Sequence, residues 1–397
     1  MKRKRVCQSL WAAALVVLSA GCVKEPYPGG GTGGSSGFTL TAVAESMSPE
    51  GVITRASDPK TAAECEIRTL HVFLFGPDGN YLGTREGHRI FQGYQQIGSP
   101  TLHIDAGGFS DPAAAASATV YVVANVEPGT FGAISAEGYP EKIRNKADFD
   151  AFYYQPTRRE DLSELPEAGM PMFGMDTLDL TQADGSVVVE LKALMARVDF
   201  SFRAEAPGGT IGGLPSLVLT ECEVRNVPTR VPFVPLAEDA ESNLDADGDG
   251  QADATTSRVV HIDPSTGPLR NQQGEAEFSF YVYENQRHPG YAEYPGEYPY
   301  PAGLDPDHYQ RYKPLLAVGT DNDTIPATYA VFKGMFTDED DIDYQATCTI
   351  FLGGDPVSDF NLRRNHQYRN HVTISGITVV GHTPSDVVTF DARIDVE

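Results

Sequence analysis

The residues best spaced for chemistry are Asp245-Ala246-Asp247-Gly248-Asp249-Gly250-Gln251-Ala252-Asp253. Carboxylates at the first, third, fifth and ninth positions (Asp245, Asp247, Asp249 and Asp253) can surround one Ca²⁺ with oxygens. The glycine at the sixth position permits the sharp turn, and the carbonyl of Gln251 supplies the seventh ligand. Thr256 stands where a bidentate glutamate would close the cage, which implies the weak affinity of an extracellular module. A solvated acidic loop is the other reading of the same charges. Both stay open, and under the first the ion is a structural clamp on a loop.

A second chemistry is written at the N-terminus. Lys2, Arg3, Lys4 and Arg5 precede an apolar run from Leu10 to Ala20, the pattern of a signal peptide and too short to span a bilayer. The run ends in Leu18-Ser19-Ala20-Gly21-Cys22. Small residues before a cysteine let a lipoprotein signal peptidase grip the extended chain once the thiol is acylated. Ser19 holds the place where the best such boxes carry leucine, with Leu18 one step earlier. The expectation is a signal peptide over 1–21, lipid on Cys22, and a bacterial chain held to a membrane from outside the cytoplasm. Each acyl methylene buried contributes about 0.8 kcal/mol, so this anchor needs no transmembrane helix.

Other patterns promise less. Gly33-Gly34-Ser35-Ser36-Gly37 matches the hydrolase GxSxG, but it lies in a glycine linker rather than a strand-turn-helix. The 9 histidines form no HExxH. His366 and His371 are five apart in a strand region, hence on opposite faces and poor co-ligands. No phosphate loop or dinucleotide fingerprint is present. No enzyme is expected. Tyr291, Tyr294, Tyr298 and Tyr300 alternate with proline and acids in a segment, 291–312, that reads as a surface loop. There they either stack on a sugar or protein partner or fold back on the body. After Cys22 the cysteines Cys65, Cys222 and Cys348 are far apart with no CxxC pair, so no zinc site is signalled. Three buried thiols is the favoured reading, and one disulfide with a leftover thiol stays open.

The elements that must position these residues are strands. Removing residues 1–21 takes four positive charges and leaves 376 of 397 residues, so the net charge goes from −25 to −29. Such a chain is repelled by nucleic acid and anionic lipid. Its length suits two domains, and 41% hydrophobic residues suffice for their cores. Residues 22–37 form a Gly/Pro/Ser-rich tether. Short β-rich runs follow at 38–42, 67–75 (closed by the turn Gly76-Pro77-Asp78-Gly79-Asn80), 119–126, 187–191 and 197–202. A stretch from Pro140 to Tyr153 is expected to hold a helix with Ile143, Phe149 and Phe152 as its apolar stripe. The Gly/Pro break at 207–215 divides the chain, giving domains at 38–206 and 207–397. The second has strands at 217–224, 276–283, 328–335, 344–352, 368–374 and 387–396. In the last, Phe390, Ala392, Ile394 and Val396 share one face. The fold class is mainly β, as two tandem β-sandwiches with few short helices.

Several of these segments, in order, resemble the fimbrillin family, the lipoprotein pilins of Bacteroidetes-type bacteria. They are Thr54-Arg55-Ala56 before LHVFLF, VYVVAN at 120–125, VELKALMARVDFSF at 189–202, FYVYEN at 280–285, RRNHQYRNHVTISG at 363–376 and the terminal TFDARIDV. The resemblance implies transthyretin-like sandwiches and a mechanism of assembly. An Arg-specific protease cuts after the first strand, that strand leaves, and another subunit's strand fills the groove by β-augmentation. Here the cut would fall at Arg55-Ala56. The departing strand would be about Phe38 to Ala44, with Phe38, Leu40 and Ala42 as its plugging face.

The expected partners are other fimbrial subunits by strand addition, the outer membrane through Cys22, and a surface ligand of host or bacterium; nucleic acid is excluded. The last core strand ends as the chain reaches Glu397, without the extension of stalk pilins, which favours a tip, accessory or anchor subunit on the cell surface. The rival reading is a surface glycan-binding lipoprotein of a nutrient-uptake system, using the tyrosine loop and Ca²⁺.

Overall fold

A computed structural model describes residues 37–47, 59–82, 91–96, 101–105, 111–156, 161–180, 186–204, 216–237, 255–261, 275–286, 327–337, 342–354, 359–379 and 387–396. The first part contains β1 (Gly37–Ala44), α1 (Pro59–Glu64), β2 (Thr69–Phe75), β3 (Phe91–Gln96), β4 (Thr101–Asp105), α2 (Pro112–Ala115) and β5 (Ala118–Ala124). It continues with α3 (Lys146–Asp150), β6 (Tyr153–Tyr154), β7 (Met172–Leu178) and β8 (Ser186–Ala193). Seven of these strands form one sheet in the order β3-β2-β5-β7-β8-β1-β4.

That sheet folds over at the β7–β8 seam. The two strands pair only where Met172 and Phe173 face Ala193 and Lys192. Beyond, Gly174 lies so close to β8 that a Cβ would sit 2.1 Å from the Glu190 carbonyl oxygen, a crossing only glycine allows. The two halves then face each other as a sandwich over one core. Leu40, Ala42, Val189 and Leu191 from one half pack with Leu70, Val72, Val122 and Phe173 from the other. An aromatic cluster lies at its centre, with Phe73 against Phe149 at 4.9 Å and Tyr121 against Phe149 at 4.7 Å. Edge-to-face geometry of this kind adds about 0.5–1.5 kcal/mol per pair to burial.

The second part comprises β9 (Met195–Ala204), β10 (Ser216–Pro228), β11 (Val231–Pro232), β12 (Thr255–His261), β13 (Glu275–Tyr283), β14 (Tyr329–Thr337), β15 (Asp343–Phe351), β16 (Gln367–Val379) and β17 (Val387–Val396). Its eight-stranded sheet runs β12-β10-β14-β15-β17-β16-β9-β13, and β11 pairs separately with β6. Its seam is β15–β17, parallel over only three residue pairs. Phe200, Phe202 and Phe280 meet Leu219, Val224 and Phe332 in a second core. The chain is thus mainly β, with sandwich-like packing of both sheets.

Two local expectations change. The helix expected over 140–153 is only the five-residue α3. Asn145 caps it by accepting from the Asp148 N–H at 2.9 Å, so it cannot begin earlier, and by Tyr153 the backbone is already a strand. Phe149 and Ile143 are buried all the same, the latter from the turn before the helix. The change of sheet falls between Ala193 and Met195, one strand before the Gly/Pro break at 207–215. The hairpin turn forms as expected: Gly76 N–H donates to Asn80 O at 2.8 Å, and Gly79 takes φ 77°.

Buried charge ties the second sheet to the β11 segment. Arg364, 7% exposed, donates to the Glu284 carboxylate through Nε at 2.8 Å and to the Phe233 and Pro232 carbonyls at 2.6 and 2.9 Å. Nearby, Asn365 adopts φ 58°, donates its N–H to Met195 O and accepts from Ala193 N–H, bracketing the change of sheet. Arg364→Met should lower unfolding free energy by about 3–5 kcal/mol, because Glu284, 2% exposed, would be left as an uncompensated buried charge. Adding Glu284→Leu should recover most of that loss in urea melts, since removing both charges removes the desolvation cost.

His71 on β2 packs edge-on against Phe131 at 5.1 Å. Burial lowers its pKa from 6.5 to about 4. The folded state therefore holds the neutral ring, while the unfolded chain takes a proton as pH falls below 6.5. Stability from this group is whole above pH 6.5 and falls towards pH 4, by roughly 3 kcal/mol in all. His71→Leu should flatten that slope relative to the parent chain when unfolding is measured across the interval.

Candidate functional site

Strand β1 is an interior strand. It pairs parallel to β8 from Thr39↔Ser186 to Ala44↔Leu191, and antiparallel to β4 from Gly37↔Asp105 to Thr41↔Thr101. Glu45 N–H extends the first ladder to Leu191 O at 2.8 Å. Alternation decides what it buries: Leu40, Ala42 and Ala44 are 0, 1 and 8% exposed, while Thr39, Thr41 and Val43 are half-buried. Met47, 3% exposed, closes the row. Leu40 and Ala42 thus face the core from alternate positions. Phe38 precedes them in the same alternation, in register with Ile104.

The strand's hold is divided unevenly. Its backbone completes two ladders, and among the described residues its buried face holds Leu40, at about 1.5–3 kcal/mol, and two alanines, with Met47 just beyond the strand. β2 by contrast is buried at all seven positions, TLHVFLF. β4 takes its only sheet neighbour, among the described residues, from β1. Withdrawing β1 would therefore open the β8 edge from 186 to 191 and a row of shallow apolar pockets, while β2, β5 and β7 kept their own pairing.

The far side of the strand's loop is pinned. Glu64, at the end of α1 and 4% exposed, accepts from Tyr281 Oη at 2.7 Å and pairs with Arg197 at 3.3 Å. Arg197 also donates through Nε to Asp199 at 2.8 Å. Burial, then the Glu64 charge, pushes the Tyr281 phenol well above its usual range. The chain after residue 58 is therefore fastened to the second sheet independently of β1. Glu64, Arg197 and Tyr281 carry no local signal in the sequence, for their partners lie 133 and 217 positions away.

The other sequence-marked positions fall elsewhere. Cys22, Arg55, Ala56, the Asp245, Asp247, Asp249, Gln251 and Asp253 loop, and Tyr291, Tyr294, Tyr298 and Tyr300 lie outside the described residues. No disulfide joins Cys65, Cys222 and Cys348 to one another. Cys222 and Cys348 flank Phe332 in one row across β10, β14 and β15, so a whole strand separates them. Burial pushes the Cys348 thiol up to about 12 and makes it a poor nucleophile. His366 precedes β16 and bonds Arg364 O, while His371 Nδ1 lies 2.8 Å from Ser201 Oγ. No three His, Cys, Asp or Glu side chains among the described residues come together as a metal site, and no helix there is long and apolar enough to cross a membrane.

Comparison with known proteins follows this division. Residues 41–187 match the family model of the major fimbrial subunit protein (FimA), which spans β1 to the start of β8. Residues 280–372 match a domain of unknown function, DUF4906. No curated protein matches the chain. Among solved structures, a candidate cell adhesion protein from Parabacteroides distasonis shares 14% identity, with 91% of this chain and 96% of that one covered, at a TM-score of 0.53. The tip fimbrial protein Mfa3 from Porphyromonas gingivalis, with C-terminal truncation, shares 14% identity over 83% of this chain and 95% of its own, at a TM-score of 0.41.

Leu40→Ala should lower unfolding free energy by about 2–5 kcal/mol, the range for an emptied leucine site. Val43→Ala, half-buried on the opposite face, should cost about 1 kcal/mol or less. Urea melts of the two variants check that β1 is held through one face. The N-terminal 41–187 region of this chain is thus similar to the major fimbrial subunit protein (FimA) family.

Proposed function

We propose that this protein is a fimbrial subunit, exported as a lipoprotein on Cys22 to the outer membrane and assembled at the cell surface by strand exchange. Cleavage after Arg55 frees β1, the groove along β8 opens, and an extended strand of another subunit enters it. The observation that carries this reading is the place of β1: an interior strand in two ladders, apolar on alternate residues. The match of the same region to the FimA family model supports it. So does the pinning of α1 through Glu64, which keeps the new N-terminal segment fastened to the second sheet.

The subunit works without catalysis, as a partner and adhesive surface. Its place in the filament is a tip or accessory one. β17 is committed to its own sheet, paired with β16 from Asn370↔Val396 to Val379↔Val388, and so is not a donor strand. Such a subunit can accept a strand at the first sandwich and end a head-to-tail row.

An Arg-specific protease acting on the purified chain should leave Ala56 as the new N-terminus and release β1. The processed protein should then bind a synthetic strand of residues 38–44, or a second subunit, which the uncut protein refuses. Arg55→Ala should block both steps. A processed chain that keeps β1 bound and takes no added strand would overturn the proposal.

A further inference from the structure

The outer face of the second sheet carries a groove of about 390 Å³ over β13, β9 and β16. Backbone register sets its side chains in rows. Ser279, Asp199 and Arg369 form one row, and Glu277, Ser201 and His371 the next. These are half-buried or exposed, whereas Phe200, Phe280 and Val372 on the opposite face are buried in the core. The backbone beneath is already committed to the β13–β9 and β9–β16 ladders, so a ligand must be read by side chains, not by strand addition.

Charge narrows the ligand. Arg197 at one end is already neutralised by Asp199 and Glu64, and Asp199 also accepts from Gln367. What remains is one cation, Arg369, opposite one carboxylate, Glu277, with hydroxyl and imidazole groups between. The hydrogen bond shown for Arg369, to Gln367 Oε1, is long at 3.4 Å, and its fork has further N–H donors to offer. A free anion would meet Glu277 and Asp199, and a free cation would meet Arg369. Among the described residues that line the groove, Phe200 and Phe278 are packed in the core cluster, and the exposed side chains are polar or charged. Alternating donors and acceptors without net charge suit a molecule that is itself both donor and acceptor all round. The volume is within the range of small-ligand sites.

We infer that this groove is a binding site for a neutral saccharide, one or two sugar rings whose hydroxyls bridge Arg369, Ser201 and Glu277. The inference rests on the adhesive part of the function proposed above and names its ligand class. It can be tested on the whole exported chain with methyl glycosides of glucose, galactose and mannose, with galacturonate and N-acetylneuraminate as anionic counterparts. At least one neutral glycoside should bind with a Kd on the order of 1 mM by calorimetry and saturation-transfer NMR. Arg369→Gln and Ser201→Val should each weaken it roughly tenfold or more with the melting temperature kept, since each leaves sugar hydroxyls unmatched. The inference is overturned if no neutral glycoside binds, if only the anionic sugars bind, or if both variants bind as the parent does. Soluble sugars need neither cleavage at Arg55 nor a second subunit. A failure here therefore leaves strand exchange standing, and a failure of strand exchange leaves the groove standing.

Discussion

The backbone of β1 supplies donors and acceptors to β8 on one side and to β4 on the other, and the first sandwich is complete only while it does so. Unpaired backbone groups at a sheet edge are a standing template for another strand. A strand in that position is therefore either permanent or replaced. Among its described side chains, Leu40, Ala42 and Ala44 fill the buried face. A substitute needs little more than an extended backbone and apolar residues at every second place. The parallel pairing with β8 suits such exchange, being slightly weaker per residue than antiparallel pairing.

Exchange of a strand endangers the rest of a fold unless the remainder is secured elsewhere. The aromatic cluster built on β2, β5, β7 and α3 does part of this, and it gains Phe233 from the second half, 5.6 Å from both Phe131 and Phe149. The buried pairs do the rest. Glu64 with Arg197 and Tyr281 joins α1 to the second sheet, and Arg364 with Glu284 and two backbone carbonyls joins that sheet to the β11 segment. Each charge is matched by a charge and by hydrogen bonds, the condition under which burial is tolerable. Their net worth in stability over apolar substitutes is small, and their contribution is to fix orientation. The outer face of the second sheet, with its polar rows, meets this machinery at Arg197 and Asp199.

Much of the element list was legible from residue order. Strand alternation, the Gly76–Asn80 turn and the buried run of β2 follow from local chemistry, and the mainly β class followed with them. The helix over 140–153 misled because Ile143, Phe149 and Phe152 do have helical spacing. They reach the core instead from a turn, a five-residue helix and a strand entry. The division at 207–215 misled for a related reason. A Gly/Pro stretch marks a loop, but β9 ahead of it had already joined the second sheet through β13 and β16.

By itself the sequence determined which segments are strands and which face of each is apolar. Side-chain alternation and turn residues act over a few positions, so they can be read in order along the chain. Only the tertiary structure decided the partners: that β1 lies between β8 and β4, that Glu64 meets Tyr281, and that Ser201 and His371 share a row. A strand's pattern states what it buries and not which neighbour completes its ladder. That choice depends on how the whole chain closes its cores and pairs its buried charges.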